Sequence, residues 1–216
     1  MSTHKYAIFD MDGTLLESMQ YWRTIVLDLL EHYGIKIEES LKKEVVYYNF
    51  SRAVAFLKEH APHPLLDKLK PEMALHIMDG HYERDVTVRR GVTALLDRLK
   101  GDGVRMCILT ATPTESTRRA LLKHGLLDYF EFILSPVEVP GGKRSPEAFY
   151  EACRRFGGAA PSECVLYEDA FYSMRTAKPL GLYIVATEDA LAAKEKDAIF
   201  AICDEYYTDG FLTRLK

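Results

Sequence analysis

The sequence predicts an α/β fold, a parallel sheet flanked by helices, with an all-helical segment inserted after the first strand. Three observations carry that prediction. A short, β-prone apolar run at residues 6–9 stops at a carboxylate, as a buried strand does. From residue 88 onward, helical and strand-like stretches alternate, which reads as successive βαβ units and hence a parallel sheet with helices on both faces. Between these parts, residues 18–84 show helical spacing and no strand pattern. The expected boundaries are 1–16 with 86–216 for the sheet core, and 17–85 for the helical insert.

Taken in order, the first strand at 6–9 is followed by Asp10, Asp12 and then a turn at Gly13 and Thr14. Tyr21, Ile25, Leu29 and Leu30 recur at helical spacing, and the pattern breaks at Gly34. Further helices are expected at 39–48, 51–60 and 71–82. Pro62 and Pro64 punctuate the middle pair, and Pro71 is placed to open the last. Val92, Leu95, Leu96 and Leu99 form the apolar stripe of a helix at 91–100, closed by Gly101 and Gly103. A strand at 104–109 ends at Thr110. A helix at 113–124 follows, with Thr112 or Thr114 as its cap and Gly125 just past its end. A strand at 129–134, the turn Gly141-Gly142 and a helix at 145–156 come next. A strand at 164–167 runs into Glu168-Asp169, a helix covers 171–180, a strand 182–186, and a last edge strand 201–206.

The strand ends carry the chemistry. In an open parallel sheet, ligands sit beyond the carboxyl ends of the strands, where Asp10, Asp12, Thr110, Glu168 and Asp169 all fall. Two carboxylates as close as Asp10 and Asp12 repel unless a cation or a shared proton intervenes. They imply a divalent metal, an acid–base pair, or both; an Asp-rich turn after a strand is the plainer alternative.

The stretch Asp10-Met11-Asp12-Gly13-Thr14-Leu15-Leu16-Glu17-Ser18 resembles the signature of the haloacid dehalogenase superfamily, in particular its magnesium-dependent phosphatases and phosphomutases. Thr110, Lys143 and Glu168-Asp169 follow in the order of that family's other motifs, so the resemblance spans nearly the whole core. It implies a Rossmann-like core and a small helical cap that closes over the active site. It also implies roles: Asp10 as nucleophile, Asp12 as general acid–base, and Thr110 with the N–H of Ala111 as phosphate contacts. Lys143 would neutralise the transferring phosphoryl group. Magnesium would be held by Asp10, the backbone carbonyl of Asp12, Asp169 and, directly or from behind, Glu168. The family's lysine is commonly followed by proline; here Arg144 stands there. In the insert, Asn49-Phe50-Ser51-Arg52 is similar to the cap arginine region of the sugar-phosphate mutases, which makes Arg52 a candidate anion clamp. Those mutases tend to carry a histidine near the position of Trp22, and its replacement by tryptophan weighs against mutase activity.

The expected function is therefore hydrolysis of small phosphate monoesters, such as sugar phosphates, phosphoglycolate-like acids or nucleotide monophosphates. A β-phosphoglucomutase-like phosphotransferase is one alternative. A phosphate-binding regulatory module without turnover is another, opposed by the intact motifs. With 216 residues, 48% hydrophobic and 28% charged, the chain has enough material for a sizeable core. A net charge of −4 offers no overall basic face for nucleic acid. Cys107, Cys153, Cys164 and Cys203 are scattered without a CxxC pair and read as free thiols, two of them inside apolar strands. No apolar run approaches a membrane span. Residues 1–5 read as passing straight into the first strand, without a leader. A cytoplasmic monomer or homodimer is expected.

Overall fold

In the computed structural model, residues 4–136 and 138–216 are described; of the segment read as leading into the first strand, residues 1–3 lie outside them. The chain separates into two compact units, Ser18–Val86 and the combination of Met1–Glu17 with Thr87–Lys216.

The larger unit is built on one sheet in the order β3-β2-β1-β4-β5-β6-β7. Its strands are β1 (Tyr6–Phe9), β2 (Arg105–Leu109), β3 (Ile133–Leu134), β4 (Cys164–Glu168), β5 (Tyr183–Thr187), β6 (Glu205–Thr208) and β7 (Thr213–Arg214). All pairings are parallel except β6 with β7. The central strand β1 aligns Ile8 with Cys107 on one side and with Leu166 on the other. The chain runs outward to β2 and β3, then crosses to β4, so the order reverses beside β1. Such a switch point opens a crevice at the carboxyl ends of the two strands. On one face Ile8, Cys107, Leu166 and Ile184 pack with Phe149, Phe156, Met174 and Ile199, all buried. The last four come from α7 (Pro146–Arg155) with its end residue, α8 (Phe171–Ala177) and α9 (Lys196–Ile202). Two further helices of this unit, α5 (Val92–Gly101) and α6 (Thr114–Lys123), bury Leu95, Leu96 and Leu99, and Ala120 and Leu121.

The smaller unit contains helices and no strand, as its periodicity predicts: α1 (Met19–His32), α2 (Glu39–Val45), α3 (Phe50–His60) and α4 (Pro71–Arg84), with a 3-10 turn at Pro64–Lys68. Helices α1 and α4 pair, and Trp22 Nε1 donates to the Tyr82 hydroxyl at 3.3 Å, so the single tryptophan is engaged in packing between them. Leu29, Leu57, Leu66 and Met78 are fully buried.

Several expected boundaries differ, each for a local reason. The helix expected at 39–48 ends at Val45, because the chain must leave helical geometry before Asn49 can cap α3; Asn49 accepts from the Arg52 N–H at 3.0 Å. The strand expected at 129–134 shrinks to Ile133–Leu134, since Leu127–Tyr129 forms a 3-10 turn and the Tyr129 hydroxyl reaches Asp97. The helix expected at 171–180 tightens into a 3-10 turn at Lys178–Leu180, around Pro179. The edge strand expected at 201–206 begins only at Glu205, because Ala201 and Ile202 finish α9. Neither Thr112 nor Thr114 caps α6, whose cap position is Pro113. The Thr114 hydroxyl bonds Ser135 and Glu138 instead, and that of Thr112 goes to Asp12.

Candidate active site

The carboxyl ends of β1 and β4 deliver three buried carboxylates to the switch point. Asp10 follows β1, Glu168 ends β4 and Asp169 follows it; one oxygen of each lies within 4.8 Å of the others. Lys143 is brought to them by the 3-10 turn Gly142–Arg144 that leads into α7. Its Nζ lies 2.8 Å from Asp10 Oδ1 and 2.9 Å from Glu168 Oε2. The other oxygen of Glu168 accepts the N–H groups of Asp169 and Ala170, each at 3.1 Å. Both Glu168 oxygens thus serve donors, one of them the Lys143 ammonium.

Burial governs the electrostatics. It pushes the Asp10 carboxyl up to about 8, aided by the Glu168 charge and held back by Lys143. Asp169 is raised well above the usual carboxylate range, again by burial first and then by Glu168 and Asp10. Burial acts on Glu168 as well, but the Lys143 ammonium and hydrogen bonds outweigh it and hold its pKa low. Burial opposes the Lys143 ammonium too, yet the facing carboxylates keep its pKa well above the ordinary lysine value. One ammonium cannot balance three carboxylates in a site this dry. An all-oxygen donor set with an unbalanced negative charge suits a divalent cation.

Asp12, whose charge adds to the upward push on Asp10, sits in a different environment. Half-buried, it receives the Thr112 hydroxyl on Oδ2 at 2.7 Å. Thr110, buried at the end of β2, accepts the Thr112 N–H on its own hydroxyl oxygen at 3.1 Å and retains its proton to donate. Ala111 between them is exposed in the turn. Asp10, Asp12, Thr110, Lys143, Glu168 and Asp169 therefore gather in one unit at one end of the sheet. Arg52 belongs to the other unit: exposed in the first turn of α3, its guanidinium lies 4.2 Å from the Tyr48 ring centroid.

Three participants escape a reading of the sequence. Thr112 registers there only as a helix cap, and its bond to Asp12 spans 100 residues. Thr14 donates to Asp169 Oδ1 at 3.3 Å and so ties the first motif to the last. The charge of Asp189, in the loop after β5, adds to the upward push on Asp169. The spacing Thr110-x-Thr112 after a strand was a usable signal for the first, and the motif position of Thr14 for the second.

Acidic strand ends and one buried lysine thus meet at the switch point of a parallel sheet. A family model described as haloacid dehalogenase-like hydrolase matches residues 4–181, and the chain belongs to that family. A divalent metal is typical of its members. The chain is 28% identical over 200 residues to validoxylamine A 7'-phosphate phosphatase of Streptomyces hygroscopicus subsp. limoneus, covering 91% of this chain and 92% of that one. It is 25% identical to β-phosphoglucomutase of Bacillus subtilis, covering 84% and 82%. In fold it is similar to the crystal structure of CbbY from Rhodobacter sphaeroides in complex with phosphate, with a TM-score of 0.76 over 96% and 95% of the two chains at 22% identity.

Proposed function

We propose that the protein is a magnesium-dependent phosphatase of small phosphate monoesters that works through an aspartyl-phosphate on Asp10. The observation that carries this reading is the contrast between two carboxylates two residues apart. Asp10 is buried against Lys143 at 2.8 Å, whereas Asp12 is half-buried with one oxygen on the Thr112 hydroxyl. Two carboxylates in unlike surroundings can divide nucleophile and acid–base work.

In the first step an Asp10 oxygen attacks phosphorus, the bond to the ester oxygen breaks, and Asp12 gives its proton to the departing alkoxide. In the second, water attacks the phosphorus of the acyl phosphate, Asp12 takes the water's proton, and Asp10 is regenerated as inorganic phosphate leaves. Lys143 would set its positive charge against Asp10 and the phosphoryl oxygens, and the Thr110 hydroxyl and Ala111 N–H would bind those oxygens. Asp10, Asp169 and the Asp12 carbonyl would hold magnesium, with Glu168 keeping Lys143 in place. When bound, the ion supplies the positive charge that keeps Asp10 ionised and screens the incoming phosphate. We assign residues 17–85 the role of a cap that screens the site, and Arg52 the role of an anion contact on it.

The relatives support the reaction class, since one is named as a phosphatase of a phosphorylated small molecule. A second reading, phosphoryl return to a sugar, is kept open by the relative named β-phosphoglucomutase. The test is phosphate release from a panel of sugar phosphates, phosphoglycolate and nucleotide monophosphates with magnesium, beside Asp10→Asn and a chelated control. Release that disappears in both controls is the expected result. Isomerisation of a sugar phosphate without release selects the mutase, and silence across the panel, with phosphate still bound, selects a binding module.

A further inference from the structure

Arg89 is a buried cation outside the acidic cluster, only 7% exposed, and the catalytic reading above makes no use of it. Its guanidinium serves three acceptors in two segments of the larger unit, the loop after β1 and the loop after β5. Nη1 donates to the Gly13 carbonyl, Nε to Glu17 Oε1 at 3.2 Å, and Nη2 to the Glu188 carbonyl at 2.7 Å. Its own N–H donates to the Leu15 carbonyl at 2.9 Å.

Those acceptors are not scattered at random around the site. Gly13 follows Asp12 directly and sits at φ +83°, a left-handed conformation open to glycine. Its N–H is held by the Leu16 carbonyl at 3.0 Å, and the turn closes on the Met11 carbonyl through Leu15 and Leu16 at 2.9 and 3.0 Å. The Gly13 carbonyl is fixed from outside the turn, by Arg89. Glu188 precedes Asp189, whose charge bears on Asp169. The Glu188 N–H is held by Tyr207 at 2.8 Å and its carbonyl by Arg89. A guanidinium can meet three acceptors in fixed directions at once, which a lysine ammonium on a flexible stem cannot do with the same geometry.

We infer that Arg89 is a positioning residue for the reaction: it locks the Asp12–Gly13 turn so that the Asp12 carboxyl meets the ester oxygen of the substrate. This rests on Asp12 being the general acid, and it goes beyond that reading by naming what aims it. Arg89 touches no reacting atom, and its effect must be read through proton transfer. A misaimed acid harms esters with poor leaving groups, which need the proton, far more than esters such as p-nitrophenyl phosphate, whose leaving group departs as an anion.

The experiment compares kcat/KM for the best-cleaved sugar phosphate with that for p-nitrophenyl phosphate in Arg89→Lys and Arg89→Gln, with Asp12→Asn as the calibrating variant and thermal midpoints recorded throughout. For Arg89→Lys, the sugar phosphate value is expected to fall about 30-fold and the p-nitrophenyl value less than about 3-fold, the same bias as Asp12→Asn in milder form. Should both Arg89 variants fail to fold, Glu17→Ala carries the test, because Glu17 is 45% exposed; a bias of about 3-fold in the same direction is then expected. Equal losses on both substrates, tracking a lowered midpoint, would reduce Arg89 to a structural cation. Unchanged rates on both would remove it from the reaction altogether. Wild-type protein inactive on both esters, or an Asp12→Asn variant without the bias, would instead defeat the acid assignment and the Arg89 inference with it.

Discussion

Lys143 holds two carboxylates at 2.8 and 2.9 Å in a site where its own side chain is 3% exposed. Removing it would leave buried anions without their counter-charge, a loss that typically amounts to about 3–5 kcal/mol. Lys143→Met is therefore expected to lower the stability of the metal-free protein by that order and to abolish phosphate release; chemical denaturation checks the first and the ester panel the second. Thr112 presents the opposite case, one hydrogen bond to a half-buried carboxylate. Thr112→Val keeps the shape and deletes the donor, so kcat should fall about 10-fold with little change in the thermal midpoint. A drop in midpoint with kcat intact would show that the bond serves folding. Of the residues at this end of the sheet, the motif aspartates, Thr110, Lys143 and the Glu168-Asp169 pair are legible in the chain because their order and strand-end positions survive in one dimension. Arg89 is not, and Thr112 is so only through its spacing from Thr110, because a hydroxyl after a strand and an arginine before a helix have commoner uses.

At the scale of elements, burial stripes translate directly into helices. Leu95, Leu96 and Leu99 line α5, and Ala53, Val54 and Leu57 line α3. Met78 on α4 is fully buried within the helical unit. Met78→Ala should cost about 2–5 kcal/mol, as large-to-small changes in closed cores do. If denaturation shows less than about 1 kcal/mol, that unit repacks around the gap and its core is looser than its burial implies. Several of the departures share a cause: a side chain or a proline took the local structure elsewhere. Tyr129 left the strand register for Asp97, Pro179 tightened α8, and both threonines flanking Pro113 gave their hydroxyls to distant partners. Apolar periodicity records which face is buried; it does not record such competing bonds.

For the molecule as a whole, the raised carboxyls set a pH dependence. In the metal-free protein Asp10 keeps its proton to about 8, whereas an unfolded chain releases it near the ordinary carboxylate value. Between those values the folded state binds more protons than the unfolded one, so stability falls as pH rises toward 8; Asp169 acts in the same direction. The thermal midpoint of metal-free protein should therefore fall between about pH 5 and about pH 8.5, and magnesium should raise it more at the higher value. A flat profile, or a magnesium effect confined to acid, would remove the ion from the Asp10–Asp169 cluster. Among the described residues no helix is long and apolar enough to cross a membrane. What the chain determined by itself was the alternation of strands and helices, the helical insert and the acidic strand ends, because hydrophobic period and motif order are local properties. Only tertiary structure decided that one lysine faces both Asp10 and Glu168, that Thr112 serves Asp12, and that Arg89 joins the loop after β1 to the loop after β5. Those contacts join residues far apart in the sequence, and their energies come from burial, which no single segment possesses until the sheet has closed around it.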